Sequence, residues 1–326
     1  TMKKLLLIGG EGYIGKVITN YFLSNGYQVN SLDNLIYGIN NYYQNTKHEN
    51  YNFIKKDIRL KDSIVNEFDD IDAVVILAGL VGDPITSKYP KESHEINDVG
   101  IKNIIDIAMQ QKELRLVFVS TCSNYGLIPN NIKADEGYKL EPLSLYAKSK
   151  VNVEKYILQS KNKTSVTSTI LRFATAFGLS ERMRFDLTVN QFVKELSVEK
   201  EIEVFDPDTW RPYCHVKDFA RAIHKVLNAK KKDINFEVFN CGSDQNNYTK
   251  KMLVDKIKKH IPNGNIIYKE NDLDARNYRV DFSKINSVLD FQTEYSIEDG
   301  IIEILNEIDN NRFDFNSNNL FGNYIL

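Results

Sequence analysis

The chain has 326 residues, a formal net charge of −2 and 42% hydrophobic residues, enough for one large α/β domain plus a smaller lobe. Near-neutrality gives no reason to expect a nucleic acid or a membrane surface as partner, no apolar run reaches the roughly 18 residues of a spanning helix, and no secretory leader is visible. Cys122, Cys214 and Cys241 are odd in number and lack Cys-x-x-Cys spacing, so free thiols in a reducing, cytoplasmic setting are expected, without a disulfide framework or a metal.

Leu5–Ile8 reads as a short buried strand. It runs into Gly9-Gly10-Glu11-Gly12-Tyr13-Ile14-Gly15, and then into Tyr13–Leu23, where apolar residues recur at helical spacing. Strand, glycine turn and helix in that order make a phosphate cradle: the glycines let the backbone turn tightly, and the helix N-terminus offers N–H groups to an anion. Taken alone, the glycines also fit an ordinary turn; their place after the first strand favours a dinucleotide. Gln28–Leu32 is a second strand ending at Asp33. A carboxylate there accepts hydrogen bonds from the adenosine ribose and repels a 2′-phosphate, which favours NAD over NADP. Residues Asn34–Asn50 are polar and tyrosine-rich, and read as loop.

Asn52–Ile54 is a third strand, followed by Asp57, Ile58 and Arg59, where a carboxylate could meet the adenine amino group. A helix is expected over Lys61–Phe68. Ala73–Leu77 is apolar throughout, as a strand buried on both faces requires. Ala78, Gly79 and Leu80 then supply small residues where backbone passes close to a ligand. The repeated alternation of strand and helix predicts a doubly wound parallel sheet.

Lys91–Gln111 predicts one long helix and Leu114–Val119 a fifth strand. That strand ends in the hydroxyl-rich run Ser120-Thr121-Cys122-Ser123-Asn124-Tyr125-Gly126, which either caps a turn or faces a ligand at the carboxyl edge of the sheet. Ser144–Lys150 opens a helix to about Gln159. Tyr146 and Lys150 are four apart and share one face of it. A nearby ammonium stabilises a phenolate, so with Thr121 opposite, a substrate alcohol could be held and deprotonated while its hydride leaves. Thr164–Leu171 reads as the sixth strand, and Gly178 as the boundary of the cofactor lobe. Arg182 and Arg184 suit the oxygens of a diphosphate. Ile202–Phe205 is a short strand, and His215 in Trp210–Val216 reads as structural. Lys217–Leu227 is a helix, Phe236–Asn240 a strand returning to the main sheet, and Thr249–His260 and Glu298–Ile308 are helices. The segment Asp274–Asp281 brings a second arginine pair, Arg276 and Arg279, and the Asn-rich tail says little.

Together, Gly9–Gly15, Asp33-Asn34-Leu35, Asp57-Ile58-Arg59, Ala78-Gly79-Leu80, Asn97, Ser120–Gly126, Tyr146–Lys150 and Trp210–Asp218 resemble the extended short-chain dehydrogenases/reductases, in their nucleotide-sugar epimerase/dehydratase branch, over essentially the whole chain. The resemblance implies a Rossmann domain over 1–178, rejoined by 212–242, and a smaller α/β substrate lobe over 179–326. It implies Thr121, Tyr146 and Lys150 as the catalytic group. Contacts to NAD are implied at Gly9, Gly12, Tyr13, Ile14, Gly15, Asp33 and Asn34. Further NAD contacts fall on Asp57, Ile58, Leu77, Ala78, Gly79, Asn97, Ser120 and Phe173, besides Tyr146 and Lys150. Substrate contacts are implied at Val81, Thr121, Cys122, Ser123, Arg182, Leu187, Arg211 and Arg279.

The activity so implied is NAD-dependent oxidation at C4 of a UDP- or GDP-linked hexose or heptose, in a pathway to surface polysaccharide. Epimerisation and net oxidation both remain open. A 4-keto-sugar reductase is the alternative. A 4,6-dehydratase is disfavoured, since Cys122 and Ser123 stand where that branch carries an Asp-Glu pair. A non-catalytic NAD-binding scaffold is the competing class. The resemblance also implies a homodimer through a four-helix bundle, built from the helices 91–111 and 145–159.

Overall fold

The computed structural model describes residues 3–38, 46–271, 276–316 and 321–326. Part of the polar loop after Asp33, and Asp274 and Ala275 of the second arginine segment, lie outside the described residues. The first half of the chain alternates strand and helix: β1 (Lys4–Ile8), α1 (Tyr13–Ser24), β2 (Gln28–Asp33), β3 (Tyr51–Lys55), β4 (Ala73–Ile76), α2 (Asp83–Lys88), α3 (Pro90–His94), α4 (Ile101–Met109), β5 (Arg115–Thr121), β6 (Lys133–Ala134) and α5 (Leu145–Leu158). The second half holds β7 (Thr167–Phe173), β8 (Thr175–Phe177), α6 (Thr188–Lys194), β9 (Glu201–Phe205), β10 (Trp210–His215), α7 (Val216–Asn228), α8 (Lys231–Ile234) and β11 (Glu237–Cys241). It closes with β12 (Asn247–Thr249), α9 (Lys250–His260), β13 (Asn265–Lys269), β14 (Arg279–Val280), α10 (Ser283–Leu289) and α11 (Ile297–Asp309).

Seven strands form one sheet in the order β11-β7-β5-β4-β1-β2-β3, every neighbouring pair parallel. The order reverses between β1 and β4, and in such sheets that point opens a crevice at the carboxyl ends of the strands. Leu5, Leu7, Val75 and Val117 point to one face, which α1 and α7 cover; Leu6, Ile8, Val74 and Phe118 point to the other, which α4 and α5 cover. The strict alternation of apolar residues to both faces is why these strands read as unbroken hydrophobic runs. A third core, around Phe177, Met183, Phe192, Val204, Ile257 and Ile301, lies under the second lobe. There β9 pairs with β13, and β10 pairs with β8 and β12. Residues 212–215 therefore sit in this side sheet, α7 packs against α1, and β11 rejoins the main sheet beside β7.

Three elements differ from the expectation. The long helix over 91–111 is interrupted by a π-helical turn at Glu95–Gly100. This wider turn keeps both Asn97 and Gly100 buried, and a Cβ at Gly100 would stand 2.7 Å from Ile58. The segment 61–68 forms two 3₁₀ turns, Lys61–Ser63 and Val65–Phe68, because it is too short to nucleate an independent α-helix and is pinned instead by Ile64 and Phe68 in the core. The sixth strand starts at Thr167 and continues to Phe173, in register with Thr121.

Candidate active site

A cavity of about 700 Å³ runs along the carboxyl edge of the sheet from the glycine loop to the second lobe. Gly9, Gly12, Tyr13, Ile14 and Gly15 line one end. Gly9 sits at φ +84°, and a Cβ there would stand 2.7 Å from the Ala78 backbone; only glycine suits both demands. A Cβ at Gly15 would stand 2.5 Å from the Gly9 carbonyl. Gly12 caps α1 without a side-chain hydrogen bond, and the first turn holds no acidic residue. The helix thus presents its free N–H groups and positive end uncompensated, as a pyrophosphate requires.

Asp33 lies beside this loop and accepts hydrogen bonds from Leu35 N (2.8 Å) and Glu11 N (3.1 Å). Burial pushes its carboxyl above the usual range, against the pull of those two N–H groups. Asn34 and Asp57 share a 3.4 Å hydrogen bond, and the Arg59 side chain holds Asp57 below the usual carboxylate range. Asn34, Asp57, Ile58, Leu77, Ala78, Gly79, Ser120 and Phe173 all line the cavity. A tight glycine cradle, an uncapped helix start and a carboxylate at the end of β2 fit a dinucleotide.

Thr121, Tyr146 and Lys150 line the middle of the cavity. Thr121 is the last residue of β5, and its Oγ1 accepts from Ser123 N at 3.1 Å. Tyr146 and Lys150 lie one turn apart on α5, whose start is capped by Ser144 accepting from Ala147 N. The Lys150 Nζ donates to Val119 O at 2.9 Å and stands 5.7 Å from the Tyr146 ring centre. Burial pushes Lys150 down to about 8, with Glu154 opposing. Burial raises Tyr146; the Arg184 guanidinium lowers it and Asp83 raises it further.

Beneath this centre lies a buried polar network that the sequence reading did not find. Glu154, one turn beyond Lys150, accepts from Arg172 Nε (3.0 Å) and Nη2 (2.7 Å), Ser120 Oγ (2.5 Å) and Asn124 Nδ2 (2.9 Å). Arg172 Nη1 also donates to Tyr125 Oη at 2.9 Å, which donates to Asn240. The network ties α5, β5, β7 and β11 together directly under Thr121.

Val81, Ser123, Arg182, Leu187 and Arg211 also line the cavity. Arg182 is buried, donates to Asn323 Oδ1 at 2.8 Å and lies 5.3 Å from the Tyr37 ring centre. Arg211 donates to the Trp210 and Arg276 carbonyls. Three expected contacts fall elsewhere. Cys122 opens the 3₁₀ turn Cys122–Tyr125 that follows β5 and turns into the core, where its thiol donates to Arg172 O. Asn97 does not line the cavity; its side-chain amide accepts from Leu80 N (2.7 Å) and donates to Leu80 O (3.0 Å), holding the loop that does. Arg279 lies over Trp210, 5.0 Å from the ring centre, and it is Arg276 that reaches the cavity, paired with Asp83 at 2.8 Å. The tail, featureless as sequence, brings Asn323 and Tyr324 to the wall.

The fold and this cavity define a dinucleotide-binding α/β enzyme. More particularly, the chain belongs to the NAD-dependent epimerase/dehydratase family, whose profile matches residues 5–242. An uncharacterized protein of Methanocaldococcus jannaschii is 28% identical over 326 residues, covering 93% of this chain and 95% of that protein. A UDP-glucuronate 4-epimerase of Thermodesulfobacterium geofontis is 26% identical, covering 92% and 94%. A crystal structure of Thermotoga maritima UDP-glucose 4-epimerase with UDP-glucose shares the fold, with a TM-score of 0.82 and 22% identity over 94% of this chain and 99% of that one. The cofactor is NAD. Among the described residues, no helix is long and apolar enough to cross a membrane.

Proposed function

We propose that the chain is a 4-epimerase of a nucleoside-diphosphate hexose or heptose, UDP- or GDP-linked. One observation carries this reading: Thr121, Tyr146 and Lys150 meet at the end of β5, midway along a cavity that joins a dinucleotide cradle to a cluster of buried arginines. The relative named UDP-glucuronate 4-epimerase, aligned over nearly its full length, supports the C4 position. NAD, when bound, supplies the hydride acceptor. Gly9–Gly15 and Asp33 would hold it. The Thr121 hydroxyl holds the C4 oxygen, and Tyr146 takes the C4 hydroxyl proton as the C4–H bond yields its hydride and the carbonyl forms. The Lys150 ammonium favours the phenolate that accepts that proton. Arg182 and Arg211 hold the diphosphate. For epimerisation the hydride would return from the reduced cofactor to the opposite face of the C4 carbonyl, and Tyr146 returns the proton to the C4 oxygen.

Cys122 is withdrawn into the core, its thiol pushed far up by burial, and Ser123 shares its hydroxyl with Tyr278. Neither is suited to the acid–base work of dehydration. Release of the ketone with stoichiometric reduced cofactor would instead make the protein a 4-dehydrogenase. We place the reaction in a cytoplasmic pathway to surface polysaccharide, in a homodimer whose bundle would cover Val99, Leu145 and Leu158, exposed on the two long helices. The test is NMR of C4 configuration with UDP- and GDP-hexoses and Tyr146→Phe as control. The variant should lose roughly 10²–10⁴ in rate while remaining folded; an active Tyr146→Phe enzyme sinks the mechanism.

A further inference from the structure

Residues 321–326 link two hydrophobic cores along the wall of the cavity. Phe321 sits in the core under the second lobe, edge-on to Phe185 and Phe313, and its carbonyl accepts from Phe185 N at 2.7 Å. Leu326 packs on the core that α4 and α5 cover. Between them, Asn323 and Tyr324 line the cavity. The Asn323 side chain joins the two halves of the molecule. Its Nδ2 donates to Val81 O at 3.3 Å, in the loop after β4, and its Oδ1 accepts from Arg182 Nη1 at 2.8 Å, in the turn after β8. A carbonyl on one side and a guanidinium on the other fix which way the amide faces. The Asn323 backbone N–H donates to Asp186 Oδ2 at 3.4 Å.

Arg182 is buried, and among the described residues its side chain hydrogen-bonds to neutral acceptors alone, Asn323 Oδ1 and the Gly322 carbonyl. Burial, and next the Arg184 charge, pull its guanidinium down to about 10, against Asp186 and Asp33. A buried charge of this kind is costly until an anion joins it. Arg184, two residues on, shows the alternative. Asp186 binds it through two hydrogen bonds, Nε–Oδ1 at 2.9 Å and Nη2–Oδ2 at 2.7 Å, and cancels its charge. We infer that Asn323 is a positioning residue for a diphosphate: it holds the Arg182 guanidinium at the cavity wall and, being a neutral amide, leaves its charge uncancelled. The inference rests on the reading above in which Arg182 holds a diphosphate. Two ligands carry one, the nucleotide sugar and NAD, and Arg182 is near enough to Asp33, at the ribose end, for the two charges to act on each other.

Calorimetry with three probes tests this: UDP and GDP on the NAD-loaded enzyme, and NAD on the cofactor-free chain. The variants are Asn323→Asp and Asn323→Ala. Both lose the bond to Val81, so the difference between them reports on Arg182. Asn323→Asp keeps the shape and the acceptor but adds a charge, as Asp186 does at Arg184. At least one probe should bind Asn323→Asp roughly ten- to a hundredfold more weakly than the parent, with Asn323→Ala between the two. A purely structural role predicts the reverse order, because alanine removes more contacts. Equal or tighter binding of every probe to the folded Asn323→Asp chain overturns the inference, as does an Asn323→Ala chain that binds more weakly still. Should Asn323→Asp fail to fold, Asn323→Ala decides: a loss of roughly three- to tenfold supports the inference, and unchanged or tighter binding overturns it. A loss for UDP or GDP supports the substrate role of Arg182 as well. A loss confined to NAD supports the positioning by Asn323 and overturns that role instead, because the diphosphate at Arg182 is then the cofactor's.

Discussion

Replacing Glu154 by Leu isolates the network under the active centre. The substitution keeps volume but removes the acceptor of four hydrogen bonds, two of them from Arg172. Both residues are almost fully buried, at 1% and 4% exposure, so the guanidinium cannot recover water. It would keep only Tyr125 Oη and the Glu136 carbonyl. Breaking one side of a buried pair costs about 3–5 kcal/mol, a large share of the ~5–15 kcal/mol that holds a domain folded. Denaturant unfolding should show that loss as a lower midpoint at unchanged slope. The double variant Glu154→Leu/Arg172→Met replaces both charges by apolar groups and should regain much of it. A single-variant loss below about 1 kcal/mol would refute the reasoning. So would a double variant no more stable than Glu154→Leu, since the cost would then not lie in the orphaned charge.

The cofactor loop gives a second test: Gly15→Ala forces a methyl against the Gly9 and Gly10 backbone. That overpacking should cost about 1–3 kcal/mol and appear as weaker NAD binding by calorimetry; an unaltered Kd tells against the cradle. For Lys150, the folded value near 8 lies below the usual 10.5, so between those values the unfolded chain binds more protons and stability rises with pH. Lys150→Met should therefore be more stable than the parent below pH 8, on the order of 1–3 kcal/mol, and the gap should close towards about pH 10.5; a gap constant across that window contradicts the burial argument. All three cysteines are buried with their thiols pushed up, so an aromatic disulfide reagent should find none in the native protein and three after unfolding. Rapid reaction of one native thiol, traced to Cys122 by peptide mapping, would show that Cys122 does reach the cavity.

The order of strands and helices was legible because sheets buried on both faces leave unbroken apolar runs, as at Leu5–Ile8 and Ala73–Ile76, separated by helical periodicity. Glycine spacing marked the cradle because the backbone itself is the functional group there. What stayed hidden depends on contacts distant in sequence. Glu154 and Arg172 are 18 residues apart on a helix and a strand, and each alone reads as a surface charge. The π turn at Glu95–Gly100 carries no compositional mark, yet it redirects Asn97 onto Leu80. Choosing Arg276 over Arg279 needs the pairing with Asp83, and Asn323 enters the site only because the tail folds back to Val81 and Arg182.

Trp210 is the only tryptophan in the chain. It opens β10, precedes the cavity-lining Arg211 and lies under the Arg279 guanidinium. The enzyme thus carries a single indole fluorophore in the side sheet, one residue before a cavity-lining arginine. Its emission is placed to report changes around Arg211 in the unlabelled protein, and reduced nicotinamide, which absorbs where indole emits, would register as an added quenching.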